Sequence, residues 1–354
     1  MMHWEEALKI MVEESASDLF LKPDHPPWIK VGGRMKKLGG VVGEKDMEDA
    51  LRKILGERYG EFFEKRDLDL TFIWGEKRFR INAFFERGNP VLVFREVRKD
   101  IPSFEELHLP GQVLRKLCGE RRGMILITGP AGCGKSTTLA SMIEYINLHF
   151  SYHVITIEDP VEFLFENKRC LINQREVGRD THSFHRALRS VVREAPDVIM
   201  IGEMRDRITL EAGLNAAETG SLVLTTLHTM DAPETVERIL SFFSPGEEDQ
   251  IRFRLSHLLK GILSQRLLTR KDGKGLIPAY AILLGTPTVR KLIQERRIQE
   301  LYSLMEEGTA FGMCTFTQTL YGLVREGKVE KEEALAVCPQ PEELKRRLEG
   351  IFTR

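Results

Sequence analysis

The segment 129–136 reads Gly-Pro-Ala-Gly-Cys-Gly-Lys-Ser and fits the pattern G-x-x-x-x-G-K-[ST] of a phosphate-binding loop. The apolar run 124–128 before it predicts a buried strand, and the apolar and polar alternation over 135–148 predicts a helix. A chance match is disfavoured because a strand, a glycine-rich turn and a helix follow one another. The motif therefore predicts a phosphate site at the end of a β-strand and at the N-terminus of a helix.

The loop also predicts which residues hold the ligand. Glycines let backbone N–H groups surround an oxyanion, and the Lys135 ammonium can reach the β- and γ-phosphates. The Ser136 hydroxyl can ligate Mg²⁺, so the expected ligands are ATP and Mg²⁺. The residues predicted to bind the nucleotide are Gly129, Ala131, Gly132, Cys133, Gly134, Lys135, Ser136 and Thr137.

The thiol of Cys133 lies two residues before Lys135 and close to the predicted helix N-terminus. Both neighbours lower the pKa of a thiol. We therefore expect alkylating agents to modify Cys133 faster than the other cysteines, and ATP to protect it. The alternative is a small residue that the loop merely tolerates.

Strand and helix signals alternate between residues 111 and 284, which predicts a mostly parallel sheet with helices on both faces. The predicted strands are 124–128, 154–158, 198–202, 222–227 and 277–284. The predicted helices are 135–148, 183–193, 207–218, 233–243 and 250–265. Nucleotides bind at the carboxyl ends of such strands, where the phosphate loop is also expected.

The flanking regions have different patterns. Residues 1–97 predict a small α+β domain with one helix over 46–65 and a hairpin turn at Gly75–Glu76. Its predicted strands are 18–22, 28–31, 34–38, 68–74, 77–85 and 91–97. Residues 98–110, which contain two prolines, predict a linker, and residues 285–354 predict a helical C-terminal region.

Composition excludes several classes of protein. The chain has 52 Lys and Arg against 53 Asp and Glu, whereas a protein that mainly binds nucleic acid usually has a basic surplus. No apolar run approaches the roughly 18 residues of a membrane span, and the acidic N-terminus does not resemble a signal peptide. The five cysteines are scattered, which indicates neither a disulfide framework nor a zinc site. We expect a soluble cytoplasmic protein that does not bind nucleic acid.

Two further strand ends carry carboxylates. The strand that ends at 202 is followed by Glu203, which can contribute to the water shell of Mg²⁺ or polarise the attacking water. The strand 155–158 ends in Glu158, and a carboxylate there suits a general base for water that attacks a γ-phosphate. The alternatives are a solvated strand-end glutamate at 203 and an ordinary acidic turn before Pro160.

His228 follows a third strand, among threonine hydroxyl groups. Its imidazole could sense the γ-phosphate or form a hydrogen bond with a catalytic carboxylate. A single histidine is as often a structural residue whose hydrogen bonds are satisfied, and the sequence leaves the two interpretations equal.

Taken together, these elements resemble the type IV pilus retraction ATPases of the PilT/PilU group, within the secretion ATPase superfamily. The resemblance covers nearly the whole chain. It rests on the segments 16–20, 78–84, 129–136, 155–163, 172–181, 196–206, 217–229, 262–268 and 312–320.

The resemblance implies a hexameric ring of subunits, each with a PAS-like N-terminal domain and a RecA-like P-loop ATPase domain. In the family ATP lies where the ATPase domain faces its own and neighbouring N-terminal domains. Glu158 is then the implied base and Glu203 the implied residue of the Mg²⁺ shell. His228 is the implied contact of the family's His box, which corresponds to residues 217–229. Arg80 and Arg95 correspond to family arginines that approach the phosphates, and a solvated strand arginine is the alternative for each.

The implied function is a hexameric motor that hydrolyses ATP to drive pilus retraction from the cytoplasmic side of the inner membrane. Its implied partners are the membrane platform protein of the pilus and a paralogous retraction ATPase. The four-cysteine zinc motif of the extension ATPases is absent from the sequence, which favours retraction. A non-hydrolysing ATP-binding accessory subunit is the alternative, and a DNA translocase is disfavoured by the neutral charge balance.

The chain also departs from the family. The segment aligned with the family's retraction motif, 288–295, keeps Arg290 and the Leu-Ile pair but not its first residue or two polar ones. Ala195 and the segment 17–20 favour PilU, whereas the segments 203–206 and 265–268 favour PilT. The sequence does not decide between the two paralogues.

Overall fold

The computed structural model describes residues 1–31, 34–75, 77–97 and 100–351. The chain divides into two compact units. The first comprises Met1–Lys99 and Glu162–Leu164, and the second comprises Asp100–Val161 and Phe165–Arg354. The predicted turn at Gly75–Glu76 falls partly outside the described residues, as do the ends of the predicted linker and of the predicted C-terminal region.

The first unit contains one six-stranded sheet in which every neighbouring pair is antiparallel. Its strands are β1 (Asp18–Leu21), β2 (Trp28–Val31), β3 (Arg34–Lys37), β4 (Asp67–Trp74), β5 (Lys77–Glu86) and β6 (Asn89–Glu96), in the order β3-β2-β1-β6-β5-β4. Its helices are α1 (Trp4–Glu13), α2 (Glu44–Leu55) and α3 (Tyr59–Lys65).

Alternation along β5 separates the two faces of this sheet. Phe79, Ile81 and Ala83 are fully buried in the core of the first unit, so the residues between them lie on the opposite face. The single helix predicted over 46–65 is wrong, because a short 3₁₀ turn separates α2 from α3. Gly56 ends α2 there with a φ of 52°, a conformation that glycine adopts without the steric cost of a side chain. The sequence pattern also missed α1.

The second unit is an α/β structure around a seven-stranded, mostly parallel sheet. Its strands are β7 (Gly123–Thr128), β8 (His153–Glu158), β9 (Leu171–Glu176), β10 (Val198–Ile201), β11 (Leu222–Leu227), β12 (Leu259–Thr269) and β13 (Leu276–Leu284), in the order β13-β12-β7-β11-β10-β8-β9. Of the neighbouring pairs, β12 and β13 are antiparallel and the others are parallel. The helices are α4 (Gly111–Cys118), α5 (Lys135–His149), α6 (Phe184–Val191), α7 (Arg207–Thr219), α8 (Ala232–Ser241) and α9 (Glu248–Leu258). The predicted mostly parallel sheet is confirmed.

The predicted helix over 250–265 is wrong beyond its first half. The helix α9 ends at Leu258, and β12 begins at the next residue between β7 and β13. Residues 259–265 read Leu-Lys-Gly-Ile-Leu-Ser-Gln, which lacks the strict alternation of a half-buried strand, so periodicity alone does not distinguish it from a continuation of α9. The edge strand β9 and the helix α4 were not predicted.

Residues on both sides of the sheet region belong to the second unit. Phe104 and Leu109, inside the predicted linker, are buried in its core. The C-terminal helices are α10 (Pro287–Gln294), α11 (Leu301–Glu307), α12 (Phe316–Arg325), α13 (Lys331–Val337) and α14 (Pro341–Leu348), and their buried side chains belong to the same core. Within the described ranges, no helix has the length and hydropathy needed to cross a membrane.

Candidate functional site

The polar segments predicted at separate strand ends lie along one edge of the second sheet. Parallel pairing aligns β8, β10, β11 and β7 side by side, so their carboxyl ends point the same way. The Thr226 hydroxyl donates to the Gly202 carbonyl oxygen at 2.7 Å, and the Gly202 N–H donates to the Ile157 carbonyl oxygen at 2.9 Å. A β-carbon on Gly202 would lie 3.6 Å from the Cα atom of Glu158. The ends of β8 and β10 are therefore in direct contact.

The loop between β7 and α5 has the backbone conformation that its glycines predict. Gly129, Gly132 and Gly134 have φ angles of 137°, 77° and 90°. Only glycine adopts such angles freely, and a β-carbon on Gly129 would also lie 2.3 Å from the Gln265 carbonyl oxygen. The loop thus fixes a turn of backbone N–H groups at the N-terminus of α5, which is a favourable place for an anion.

The predicted nucleotide-binding residues differ in exposure along the loop. Ala131 and Gly132 are exposed, Gly129, Cys133 and Lys135 are buried, and Gly134, Ser136 and Thr137 are intermediate. The Lys135 ammonium donates to the carbonyl oxygens of Gly129 at 2.8 Å and Pro130 at 2.9 Å. Phosphate oxygens carry more negative charge than these two carbonyl oxygens. The ammonium can therefore give up its hydrogen bonds to the carbonyls and bind a phosphate instead.

His228 connects the loop lysine with Glu203. Its Nδ1 atom lies 3.4 Å from the Lys135 Nζ atom, and its Nε2 atom lies 3.2 Å from the Glu203 Oε1 atom. Because an ammonium can only donate, a neutral His228 accepts at Nδ1 and donates from Nε2 to the carboxylate. Arg205 donates to the other oxygen of Glu203 at 2.8 Å. The hydrogen bond to a strand-end carboxylate is one of the interpretations that the sequence left open for His228.

Glu158 ends β8 and is almost fully buried, with 6% of its surface exposed. The Thr156 hydroxyl donates to its Oε1 atom at 2.6 Å, and the Gln174 amide donates to the same atom at 3.2 Å. An anionic carboxylate accepts such hydrogen bonds, and burial keeps it out of bulk water.

The oxygen ligands at this edge suit Mg²⁺. The structure contains no cluster of three or more His, Cys, Asp or Glu side chains that could hold a metal, as far as its described residues go. Mg²⁺ at nucleotide sites needs no such cluster, because it keeps several waters and takes one or two protein oxygens besides the phosphates. The hydroxyl of Ser136 and the carboxylate of Glu203 are hard oxygen donors of that kind.

Arg80 and Arg95 belong to the first unit and lie opposite each other in the register of β5 and β6, so their side chains share one face of its sheet. Arg95 donates from Nε to Asp18 at 2.7 Å, and Arg80 lies 3.7 Å from Asp69. The Asp18 carboxylate is buried and was not singled out from the sequence, although it lies in the family segment 16–20. An arginine held by a buried carboxylate keeps a defined direction.

Gln265 is a residue of the phosphate loop region that sequence analysis missed. Its amide donates from Nε2 to the Cys133 carbonyl oxygen at 2.6 Å, and its Oε1 atom accepts from the Thr138 hydroxyl at 2.9 Å. The residue is 2% exposed and lies on β12, beside β7. It was missed because residues up to 265 were predicted to be helical, which gives no reason for its side chain to reach the loop.

Replacing Gln265 by leucine is expected to weaken ADP binding by roughly tenfold, because two buried hydrogen bonds to the loop and its helix are lost. Equilibrium titration with a fluorescent ADP analogue measures the effect. Gln299→Leu, which removes an exposed glutamine bonded to Glu237, is the matched control and should bind like the wild type. Equal affinity of all three proteins would contradict the role assigned to Gln265.

The lowered pKa that the sequence predicted for the Cys133 thiol is wrong, whereas its reactivity relative to the other cysteines stays a prediction. Burial raises the pKa of the Cys133 thiol, and the opposing effect of the Lys135 charge is smaller. The residue is 3% exposed, and a β-carbon on Gly129 would lie 2.7 Å from its sulfur atom. The thiol therefore fills space beneath the loop.

We expect Cys133 in the folded protein to react with iodoacetamide far more slowly than in the unfolded protein at the same pH, with or without ATP. The reason is that the raised pKa keeps the thiol protonated and that burial blocks access. Peptide mass spectrometry after timed labelling measures the rate. Rapid modification of Cys133 that ATP prevents would restore the original expectation.

Comparisons with known proteins identify relatives along most of the chain. The family model described as "Type II/IV secretion system protein" matches residues 79–308. The type IV pilus retraction ATPase PilT of Pseudomonas aeruginosa is 40% identical over 340 residues, which cover 95% of this chain and 98% of that protein. The type IV pilus ATPase PilU of the same organism is 40% identical over 347 residues, with 97% and 91% covered.

A solved structure described as the pilus retraction motor PilT with bound ADP has a TM-score of 0.91 and 42% identity. It covers 98% of this chain, and this chain covers all of it. The X-ray structure of the Legionella pneumophila ATPase DotB has a TM-score of 0.80 at 24% identity, which shows a shared fold alone.

Proposed function

The chain belongs to the type II/IV secretion system protein family, and from that membership we propose that it is an ATPase that powers the retraction of type IV pili. The observation that carries the proposal is the convergence of Lys135, His228 and Glu203 at the strand ends. ATP hydrolysis needs groups that hold the phosphates and a group that orients the attacking water, and the phosphate loop and the strand-end carboxylates can supply both. Similarity to a retraction ATPase over nearly the whole length supports the choice of process.

In the proposed reaction, the loop N–H groups and Lys135 hold the β- and γ-phosphates of ATP. Glu158 orients a water molecule and accepts one of its protons as the water attacks the γ-phosphorus, the bond from that phosphorus to the β,γ-bridging oxygen breaks, and ADP leaves with its electron pair. Ser136 and Glu203 would hold Mg²⁺, which would neutralise the charge on the phosphate oxygens. His228 keeps Glu203 in place through its Nε2 hydrogen bond. Because its Nδ1 atom lies beside Lys135, a movement of that lysine toward the phosphate would also shift His228 and the carboxylate.

The ATPase domain would be RecA-like, the N-terminal domain PAS-like, and the working form a homohexamer. Arg80 and Arg95 would neutralise the phosphate charge that develops during hydrolysis. Opening and closing of the domains with each turnover would then perform mechanical work.

The proposed location is the cytoplasmic face of the inner membrane at the base of the pilus. There the chain would act on the polytopic platform protein, together with a paralogous retraction ATPase in hosts that carry one. No nucleic-acid partner is proposed, because the balance of 52 basic and 53 acidic residues offers no electrostatic surplus for phosphate backbones.

Deletion of the gene in its host is expected to leave cells with more surface pili but without twitching motility, because assembly continues while retraction stops. Counting pili by electron microscopy and measuring twitching zones tests this. Complementation with the wild-type gene restores both properties, whereas an Arg121→Ala gene, altered at an exposed position, should behave like the wild type. Cells without any pili would instead indicate an extension motor, and cells with normal pili and motility would contradict both.

A further inference from the structure

The edge strand β9 places an amide against the carboxylate that is proposed to activate water. We propose that Gln174, together with Thr156, is a positioning residue that fixes the direction of the Glu158 carboxylate. This inference rests on the proposed function, because it requires that Glu158 acts on water. Gln174 lies in the family segment 172–181, but the sequence assigned it no role because β9 was not predicted to be a strand.

Three residues form a polar row on one face of the sheet. Thr156 and Glu158 are two residues apart in β8, so their side chains lie on the same face. Gln174 is the direct neighbour of Thr156 in the register of β8 and β9. Directly opposed residues have side chains on the same face, which brings the amide beside the carboxylate.

The two donors converge on a single oxygen atom. The Thr156 hydroxyl lies 2.6 Å and the Gln174 Nε2 atom 3.2 Å from the Oε1 atom of Glu158. Thr156 is fully buried and Glu158 nearly so. Hydrogen bonds to a buried carboxylate are strong, and two of them at one oxygen stop rotation of the carboxylate about its last bond.

The orientation of the Gln174 amide is itself determined by its other contact. Its Oε1 atom accepts a hydrogen bond from the backbone N–H of Phe165 at 2.9 Å. Since an amide has one oxygen and one nitrogen, this contact forces the NH₂ group toward Glu158. A flipped amide would place two acceptors together at Glu158 and two donors together at Phe165.

Other contacts of β9 hold the backbone around Glu158. The N–H of Val177 donates to the Glu158 carbonyl oxygen at 2.9 Å, and the Glu176 side chain accepts from the Val161 N–H at 3.1 Å. Strand β9 and the residue after it therefore restrain the main chain that follows Glu158 as well as its side chain. A general base must be held within hydrogen-bond reach of its proton, so this restraint is what the reaction needs.

The experiment separates the two contacts of Gln174. Gln174→Glu keeps an oxygen for the Phe165 N–H but replaces the donor at Glu158 by a second carboxylate oxygen. Gln174→Met removes both contacts at similar length. Thr156→Val removes the hydroxyl, Thr156→Ser keeps it, and Gln299→Glu is the matched exposed control. Steady-state ATP hydrolysis, ADP affinity and thermal unfolding are measured for each protein.

We expect Gln174→Glu, Gln174→Met and Thr156→Val to lower kcat by about 10- to 100-fold, with KM for ATP changed less than about threefold. ADP affinity and the unfolding temperature should remain close to those of the wild type. Thr156→Ser should regain most of the turnover that Thr156→Val loses. If these variants raise KM for ATP but keep the wild-type kcat, the residues act in nucleotide binding and the inference is overturned.

Two outcomes distinguish the inference from the function on which it rests. If Glu158→Gln is inactive but Gln174→Glu has wild-type turnover, then Gln174 only holds the backbone at Phe165 and the inference is false. If Glu158→Gln itself keeps wild-type turnover, the assignment of the base is false, and the positioning role fails with it.

Discussion

Replacement of Lys135 by alanine is expected to lower kcat/KM for ATP by on the order of 1,000-fold, because the charge that faces the β- and γ-phosphates is lost. In the structure the Lys135 ammonium is nearly buried, bonded to two loop carbonyls and close to His228. An alanine leaves those carbonyls facing the phosphate oxygens, which adds repulsion to the loss of attraction. Phosphate release from ATP by the purified protein measures the effect.

The matched control for this change is Lys116→Ala, which removes an exposed lysine of α4 and should leave turnover unchanged. Both variants should unfold at temperatures close to that of the wild type if the effect is chemical. If the Lys135 variant hydrolyses ATP at the wild-type rate, the proposed role of the phosphate loop in hydrolysis is wrong.

Replacement of Glu158 by glutamine is expected to lower kcat by about 100- to 10,000-fold while ADP still binds. Glutamine has the same shape and keeps an oxygen that can accept from Thr156 and Gln174, but it cannot take the proton of water. The loss should therefore appear in turnover and not in nucleotide affinity. Stopped-time phosphate assays and ADP titration measure the two quantities separately.

Glu332→Gln, at an exposed position of α13, is the control for the glutamate change and should keep wild-type kcat. If the Glu158 variant hydrolyses ATP at the wild-type rate, another group activates the water. If it loses both turnover and ADP binding, the carboxylate has a structural role instead.

The sequence predicted the parts of the site that are local in the chain. The loop 129–136 is defined by glycines at fixed spacing, and their positive φ angles are a local property that a pattern can carry. The strand ends at Glu158, Glu203 and His228 follow buried β-branched or apolar runs, so their placement at one edge follows from parallel pairing alone.

The parts that were missed depend on contacts between distant segments. Gln265 reaches the loop only because β12 lies beside β7, and the mixed polar and apolar sequence before it was predicted to continue the helix. Gln174 lies on the edge strand β9, whose inner face carries the polar residues Gln174 and Glu176 beside the apolar Ile172, so the sequence lacks the alternation of a half-buried strand. Strand partners are set by tertiary packing, which no single-sequence pattern contains.

Cys133 was predicted from its sequence neighbours alone, and the prediction of its pKa failed because burial was not known. The sequence placed the thiol near a lysine and a helix N-terminus, and both are there in the structure. Burial outweighs both, because the free energy needed to remove a thiolate from water exceeds the stabilisation that the nearby Lys135 charge provides. Burial depends on Gly129 and β12, which lie against the sulfur and the loop.

The most direct test of the account is a structure of the full-length protein with Mg²⁺ and a non-hydrolysable ATP analogue. We expect Lys135 to leave the Gly129 and Pro130 carbonyls for the γ-phosphate and Ser136 to lie at the metal. Glu158 should then lie within about 3 Å of a water molecule in line with the γ-phosphorus. A γ-phosphate held away from both Glu158 and Glu203 in every copy of the chain would contradict it.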